Sequence, residues 1–147
     1  MAKVVIECTV EQASAISEAL EVYARLSIGQ IEHVAEMVSF GRIPIGGRYS
    51  ASGYMLEKLT ATPREAEAVR DLCSQIKCFL GYSKDGSNGI GHPHVSLEAH
   101  RAWEMRKVID KTLSEHRNPN PEFRGVNYDG LLLRYTNDPA PSAKISD

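Results

Sequence analysis

The residues in this sequence best suited to chemistry sit in glycine-rich stretches. The first, "GYSKDGSNGIGHPHVSLEAHRAW" (81–103), places Lys84, Asn88, Gly89, Gly91, His92 and His94 ahead of a helical pattern that carries Arg101. Small residues let a ligand approach the backbone, and the free amides of a helix start add N–H donors and the positive end of a dipole. Lys84 and Arg101 are of the right charge to neutralise a phosphate. The glycine order is G-x-x-G-x-G, which is neither the dinucleotide fingerprint nor a P-loop. The expectation is therefore an anion contact without a named nucleotide fold, set against a plain structural connection. The pair His92 and His94, with His100 nearby, invites a zinc reading, since imidazole is a common zinc ligand. A catalytic zinc needs three ligands, however, and no HExxH or paired-carboxylate spacing accompanies them. No metal and no cofactor are expected.

A second stretch, "GRIPIGGRYSASGY" (41–54), offers Arg42 and Arg48 as guanidinium forks for phosphate and Tyr49 and Tyr54 as stacking surfaces for a base. A third, "HRNPNPEFRGVNYDG" (116–130), holds Arg117, Asn118, Arg124, Asn127 and Tyr128 between prolines and a glycine, which an ordered turn explains without a ligand. Nucleophilic catalysis has little to rest on. There is no G-x-S-x-G elbow, and Cys73 and Cys78 fall in an amphipathic helix where cysteine serves as a small hydrophobe. Glu104, Asp110, Glu115 and Asp129 are not paired for acid–base work, and most of them read as solvated helix faces. His92 or His94 as a general base stays open.

The elements that must position these residues follow from periodicity and caps. "KVVIEC" (3–8) is short and β-branched and reads as a strand. Thr9 and Gln12 form a capping box for a helix whose apolar stripe is Ala13, Ile16, Leu20 and Tyr23. A second stripe, Ile28, Ile31, Ala35 and Val38, follows a bend near Ser27 and Gly29. Thr62, Pro63 and Glu65 start a third helix, with Val69, Leu72, Cys73, Ile76 and Leu80 as its expected buried face and Gly81 ending it. Ser96 caps the last helix, whose stripe is Ala102, Met105, Ile109 and Leu113. "GLLLRYT" (130–136) is the second strand candidate. The fold expected is α+β and mainly helical, with about four helices and a small two-stranded antiparallel sheet made by the two terminal strands. Residues 1–136 are expected as one globular domain and 137–147 as a flexible tail.

Composition bounds the partners. With 17 basic and 19 acidic residues the net charge is −2, which argues against non-specific nucleic-acid binding. The three cysteines form no CxxC pair, and no run approaches a membrane span or a secretory leader, so the expected compartment is cytoplasmic.

Three segments also carry a resemblance. "LEVYARLSIGQIEHV", then "GSNGIGHPHVSLEAHRAWEMRKVIDKTLSEHRNP" and "VNYDG", resemble an uncharacterised family of small tailed-phage proteins. The matching features are Tyr23, Arg25, Gly29 and Gln30, then Asn88 to Gly91 and Pro93, then Arg117, Asn118 and Pro119. "GRIPIGGRYSASGY" looks like an insertion relative to that pattern. The resemblance implies a phage origin rather than an activity; by analogy of type, such chains act in the host cytoplasm in the style of anti-defence sponges, which sequester nucleotide messengers without transforming them, and the helix hairpins here are expected to form homo-oligomers. The resulting expectation is a non-enzymatic binder of a small nucleotide-like ligand through Arg42, Arg48, Tyr49, Tyr54, Lys84, Asn88, Gly89, Gly91, His92, His94 and Arg101. A protein-binding inhibitor of a host factor and a small histidine-dependent nucleotide hydrolase are the alternatives.

Overall fold

Helix starts follow the capping chemistry. In the computed structural model, which describes residues 2–49, 51–53 and 55–146, and side chains at all of these except 47–49 and 55–59, the order is four helices with a β-hairpin between the second and third. Helix α1 spans Val10–Ser27 and α2 His33–Ser39; strands β1 (Gly46–Tyr49) and β2 (Met55–Leu59) follow; α3 spans Pro63–Phe79 and α4 Leu97–Arg117. At α1 the Thr9 amide donates to the Gln12 side chain at 2.9 Å and the Gln12 amide to the Thr9 hydroxyl at 3.2 Å. Thr62 and Glu65 make the same reciprocal pair at α3, where Pro63 takes the first helical position. The Ser96 hydroxyl accepts from the Ala99 amide and starts α4.

The sheet differs from expectation. Neither terminal segment is a strand: residues 2–9 and 130–136 run without strand pairing, so the expected two-stranded sheet from the termini is not present. The fold is a helical one, and the pairing among the described residues lies in the middle of the chain, where β1 and β2 run antiparallel with Gly46 opposite Leu59. The physical reason is that β-branched composition favours extended backbone but does not supply a ladder partner. Val5, in the first of these segments, is 84% exposed.

Two units make up the chain: Met1–Ser27 with Gly89–Asp147, and Ile28–Asn88. In the first, α1 packs on α4. The seam combines small residues, Ala24, Ala99 and Ala102, with partly buried polar pairs. The Ser17 hydroxyl donates to the Asp110 carboxylate, and Arg106 reaches both Asp110 (3.0 Å) and Glu21 (3.2 Å). Asp110 is thus engaged in packing rather than solvated.

In the second unit α2 packs on α3 through Ala35, Val38, Ala66 and Cys73. The chain breaks between α1 and α2 at Gly29, which has φ +88° and lies under the Tyr82 ring; a Cβ there would meet ring carbons at 2.5–2.8 Å. Lys77 faces inward and is 1% exposed, its Nζ 2.8 Å from the Glu32 carboxylate. Burial alone would raise the Glu32 carboxyl, but the hydrogen bond and charge of Lys77 outweigh it and hold it below the usual range. By contrast Leu72 (58% exposed), Ile76 (49%) and Leu80 (56%), expected in the core, point outward. Small side chains already fill the space between α2 and α3, so the bulky stripe of α3 has no room on that side.

Removing Glu32 leaves a buried, unpaired ammonium. Glu32→Ala is expected to cost about 2–3 kcal/mol in urea denaturation, whereas Lys77→Met, which removes the charge together with its need for a partner, is expected to cost clearly less. Equal losses for the two variants would show that the pair is not what matters at this position.

Candidate functional site

The glycine–histidine loop closes onto the start of α4 within the first unit. Residues 89–95 run through two tight turns, His92 N–H to the Gly89 carbonyl at 2.9 Å and Val95 N–H to the His92 carbonyl at 3.0 Å. The His94 amide donates to His92 Nδ1 at 3.3 Å, and the two imidazole centroids are 5.2 Å apart. His100, one turn into α4, donates from Nε2 to the Ile90 carbonyl at 2.7 Å and so ties the loop to the helix.

Tyr135 arrives from the C-terminal segment to complete the cluster. Its ring stacks on His100 with centroids 5.3 Å apart and meets Trp103 edge-on at 5.4 Å. Gly91 lies directly beneath it: a Cβ at that position would come within 2.8 Å of the tyrosine ring. The glycine is therefore needed for close approach, and what approaches in this structure is the protein's own aromatic ring. His100, Trp103 and Tyr135 are all half-buried.

A buried carboxylate holds this arrangement. Glu104, expected on a solvated face, is 2% exposed and accepts three hydrogen bonds: from the Tyr135 amide (2.7 Å), the Thr136 amide (2.9 Å) and the Thr136 hydroxyl (2.9 Å). Arg134 adds charge at 3.6 Å. Burial would raise the Glu104 carboxyl, yet these donors and Arg134 together keep it below the ordinary range. Further along, Arg101 grips Asp138 with Nε at 2.6 Å and a second nitrogen at 3.3 Å, and Thr112 donates to the Ala143 carbonyl at 3.3 Å.

The residues singled out in the sequence divide between the two units. Gly89, Gly91, His92, His94 and Arg101 lie in the first, Arg42, Lys84 and Asn88 in the second. His94, Lys84 and Arg42 are exposed and His92 is half-buried. Asn88 is used internally: its amide donates to the Ile28 carbonyl at 2.8 Å and its side chain to the Tyr82 hydroxyl at 3.3 Å. Arg101 is neutralised by Asp138. Arg48 and Tyr49 belong to β1 with side chains outside the described part, and Tyr54 lies outside the described residues altogether. A shallow depression of about 420 Å³ in the second unit is lined by Ser39, Ala61, Pro63, Ala66, Glu67 and Arg70, none of which the motifs pointed to.

Three cluster members, His100, Trp103 and Tyr135, were missed as site residues. For His100 and Trp103 a signal existed, since they stand four and seven residues beyond the Ser96 cap and so lie near one another on the first two turns of α4. Tyr135 had none, because its position depends on a contact with Glu104 made 31 residues away in sequence. Among the described residues, no three His, Cys, Asp or Glu converge as metal ligands, and no helix is long and apolar enough to cross a membrane. No family model, curated protein or solved structure matches this chain.

The Glu104 contact has a definite pH sign. A carboxyl held low in the folded state contributes stability that is present above its unfolded value and is lost as the pH falls through its folded value. Below about pH 4.5 the hold on Tyr135 is expected to weaken progressively. Trp103, the single tryptophan, reports this directly through its fluorescence. Glu104→Ala is expected to cost about 2–3 kcal/mol and to expose the chain beyond residue 130 to protease at neutral pH, since two amides and a hydroxyl lose their acceptor. Unchanged protection in that variant would mean that other contacts hold the segment.

Proposed function

We propose that this chain binds a small nucleotide-like signalling molecule and sequesters it without transforming it, acting as an anti-defence protein of a tailed phage. One observation carries the reading: two adjacent histidines on a glycine turn stand in the same unit as a half-buried aromatic platform of His100, Trp103 and Tyr135. Aromatic faces accept a nucleobase by stacking, in a way that tolerates base identity, and exposed imidazole beside a turn rich in glycine suits a phosphate edge. The resemblance of the N-G-I-G-H-P stretch and of Arg117–Pro119 to small phage proteins supports the same class of role.

Binding is favoured over chemistry at Glu104 and His100 because their polar atoms are already used, which leaves His92 or His94 to carry the enzymatic alternative. Both Glu104 oxygens accept hydrogen bonds from the C-terminal segment, and the His100 Nε2 proton is given to a backbone carbonyl. A protein-binding role toward a host factor is the second reading. It is favoured by Leu132 and Leu133, which stand exposed on the C-terminal segment.

Titration calorimetry with ADP-ribose and with cyclic mono- and dinucleotides tests the proposal, with Trp103 fluorescence as a second readout. At least one probe is expected to bind, to be recovered chemically intact after heat release, and to bind about tenfold or more weakly to Tyr135→Ala with unchanged circular dichroism. A probe recovered hydrolysed would replace the sponge reading with an enzymatic one. Silence with every probe, from folded protein, would remove the nucleotide reading and leave the protein-binding one.

A further inference from the structure

Helix α3 is amphipathic in an unusual sense: its tightly packed face is small and contains a lysine, while its bulky apolar residues face solvent. Ala66, Cys73 and Lys77 are buried; Leu72, Ile76, Phe79 and Leu80 are not, and Phe79 is 92% exposed. Leu72, Ile76 and Phe79, with half-buried Val69, lie on one stripe about a quarter turn from the packed face, at the 3-4-3 spacing 69, 72, 76, 79 of a two-stranded helical seam, and Leu80 follows just past the helix end. The residues on the outer flank of that stripe, Ala68 and Gln75, are uncharged and exposed.

We propose that this stripe is the seam on which a second copy of the chain docks, α3 against α3 in antiparallel orientation. The stripe has the symmetry that such pairing needs. Its midpoint falls at residue 74, so an antiparallel copy sets Leu72 against Ile76 of the second copy, and Val69 against its Phe79. One patch thus serves as both halves of the interface. The area is also sufficient. The four exposed side chains leave on the order of 500 Å² uncovered, near the upper end of what a soluble monomer carries in one patch. Two such faces, fully covered, remove about 1,000 Å², the floor for a biological interface and the size of a weak, reversible one. The uncharged flank means that no like charge opposes its own image across the two-fold axis, a cost that self-pairing of a charged flank would incur. This pairing does not depend on the ligand chemistry proposed above.

The experiment is sedimentation and light scattering of the full chain, with two kinds of variant. The unmodified protein is expected to be dimeric in the tens of micromolar. Ile76→Glu, at a solvent-facing position, is expected to keep the helical circular dichroism and to weaken association by about tenfold or more. Gln75→Cys, combined with Cys8→Ser and Cys78→Ser to remove the other exposed thiols, sits beside the two-fold axis and is expected to form a disulfide-linked dimer rapidly under mild oxidant. A parent protein that is monomeric at these concentrations would overturn the proposal, including the case where a different protein occupies the stripe. So would an Ile76→Glu variant that is folded and still fully dimeric. If Ile76→Glu does not fold, the Gln75→Cys cross-link decides: formation supports the seam, and its absence in a dimeric protein overturns it.

Discussion

Glu104 goes into the interior of the first unit with its charge intact, and the backbone near the C-terminus has to come to it. A buried carboxylate without donors is costly enough that it would either protonate or disrupt the packing around it. Here the donors are two consecutive amides and a hydroxyl supplied by Tyr135 and Thr136. Because consecutive amides can converge on one oxygen only in a narrow range of backbone geometries, the contact sets the path of residues 134–136 as well as their distance from α4. The position of the Tyr135 ring then follows, and with it the packing over Gly91 and His100.

That dependence changes the meaning of the glycine-rich loop. Its glycines invite a phosphate reading because small residues admit a close ligand, but the same absence of a Cβ admits a close aromatic ring from the protein itself. Gly91 serves the second purpose. The loop is thereby held firm, by the Tyr135 ring on one side and the His100–Ile90 hydrogen bond on the other. For the ligand proposed above, a firm loop beside half-buried aromatic rings leaves less order to impose on binding than a mobile one would.

How much of this was legible in the sequence depends on the range of the interaction. The starts of α1, α3 and α4 were readable because Thr9 with Gln12, Thr62 with Glu65, and Ser96 act within a few residues. The loop before α4 was readable as a tight approach to a capped helix. The terminal strands were misread because "KVVIEC" and "GLLLRYT" record only a local preference for extended backbone, while a sheet requires a second strand whose arrival composition cannot encode. Glu104 was misread for a related reason. A glutamate on a charged helix is normally solvated, and the distant Tyr135 and Thr136 make this one an interior residue.

Helix α3 marks the remaining limit and gives it a physical cause. Periodicity merged two faces of this helix, placing Cys73, which is buried, on one stripe with Leu72, Ile76 and Leu80, which are exposed, and assigned the whole to the nearest available interior. Between α2 and α3, however, the space is filled by Ala35, Val38, Ala66 and Cys73, and the stem of Lys77 completes it with its ammonium held by Glu32. A lysine is admissible there because its four-carbon stem packs as hydrocarbon while a single partner satisfies the charge. The bulky stripe is left facing outward by this close packing. Hydrophobic periodicity says which side of a helix avoids water; whether that water is excluded within the chain or by another chain is decided by how much volume the neighbouring helix has already filled.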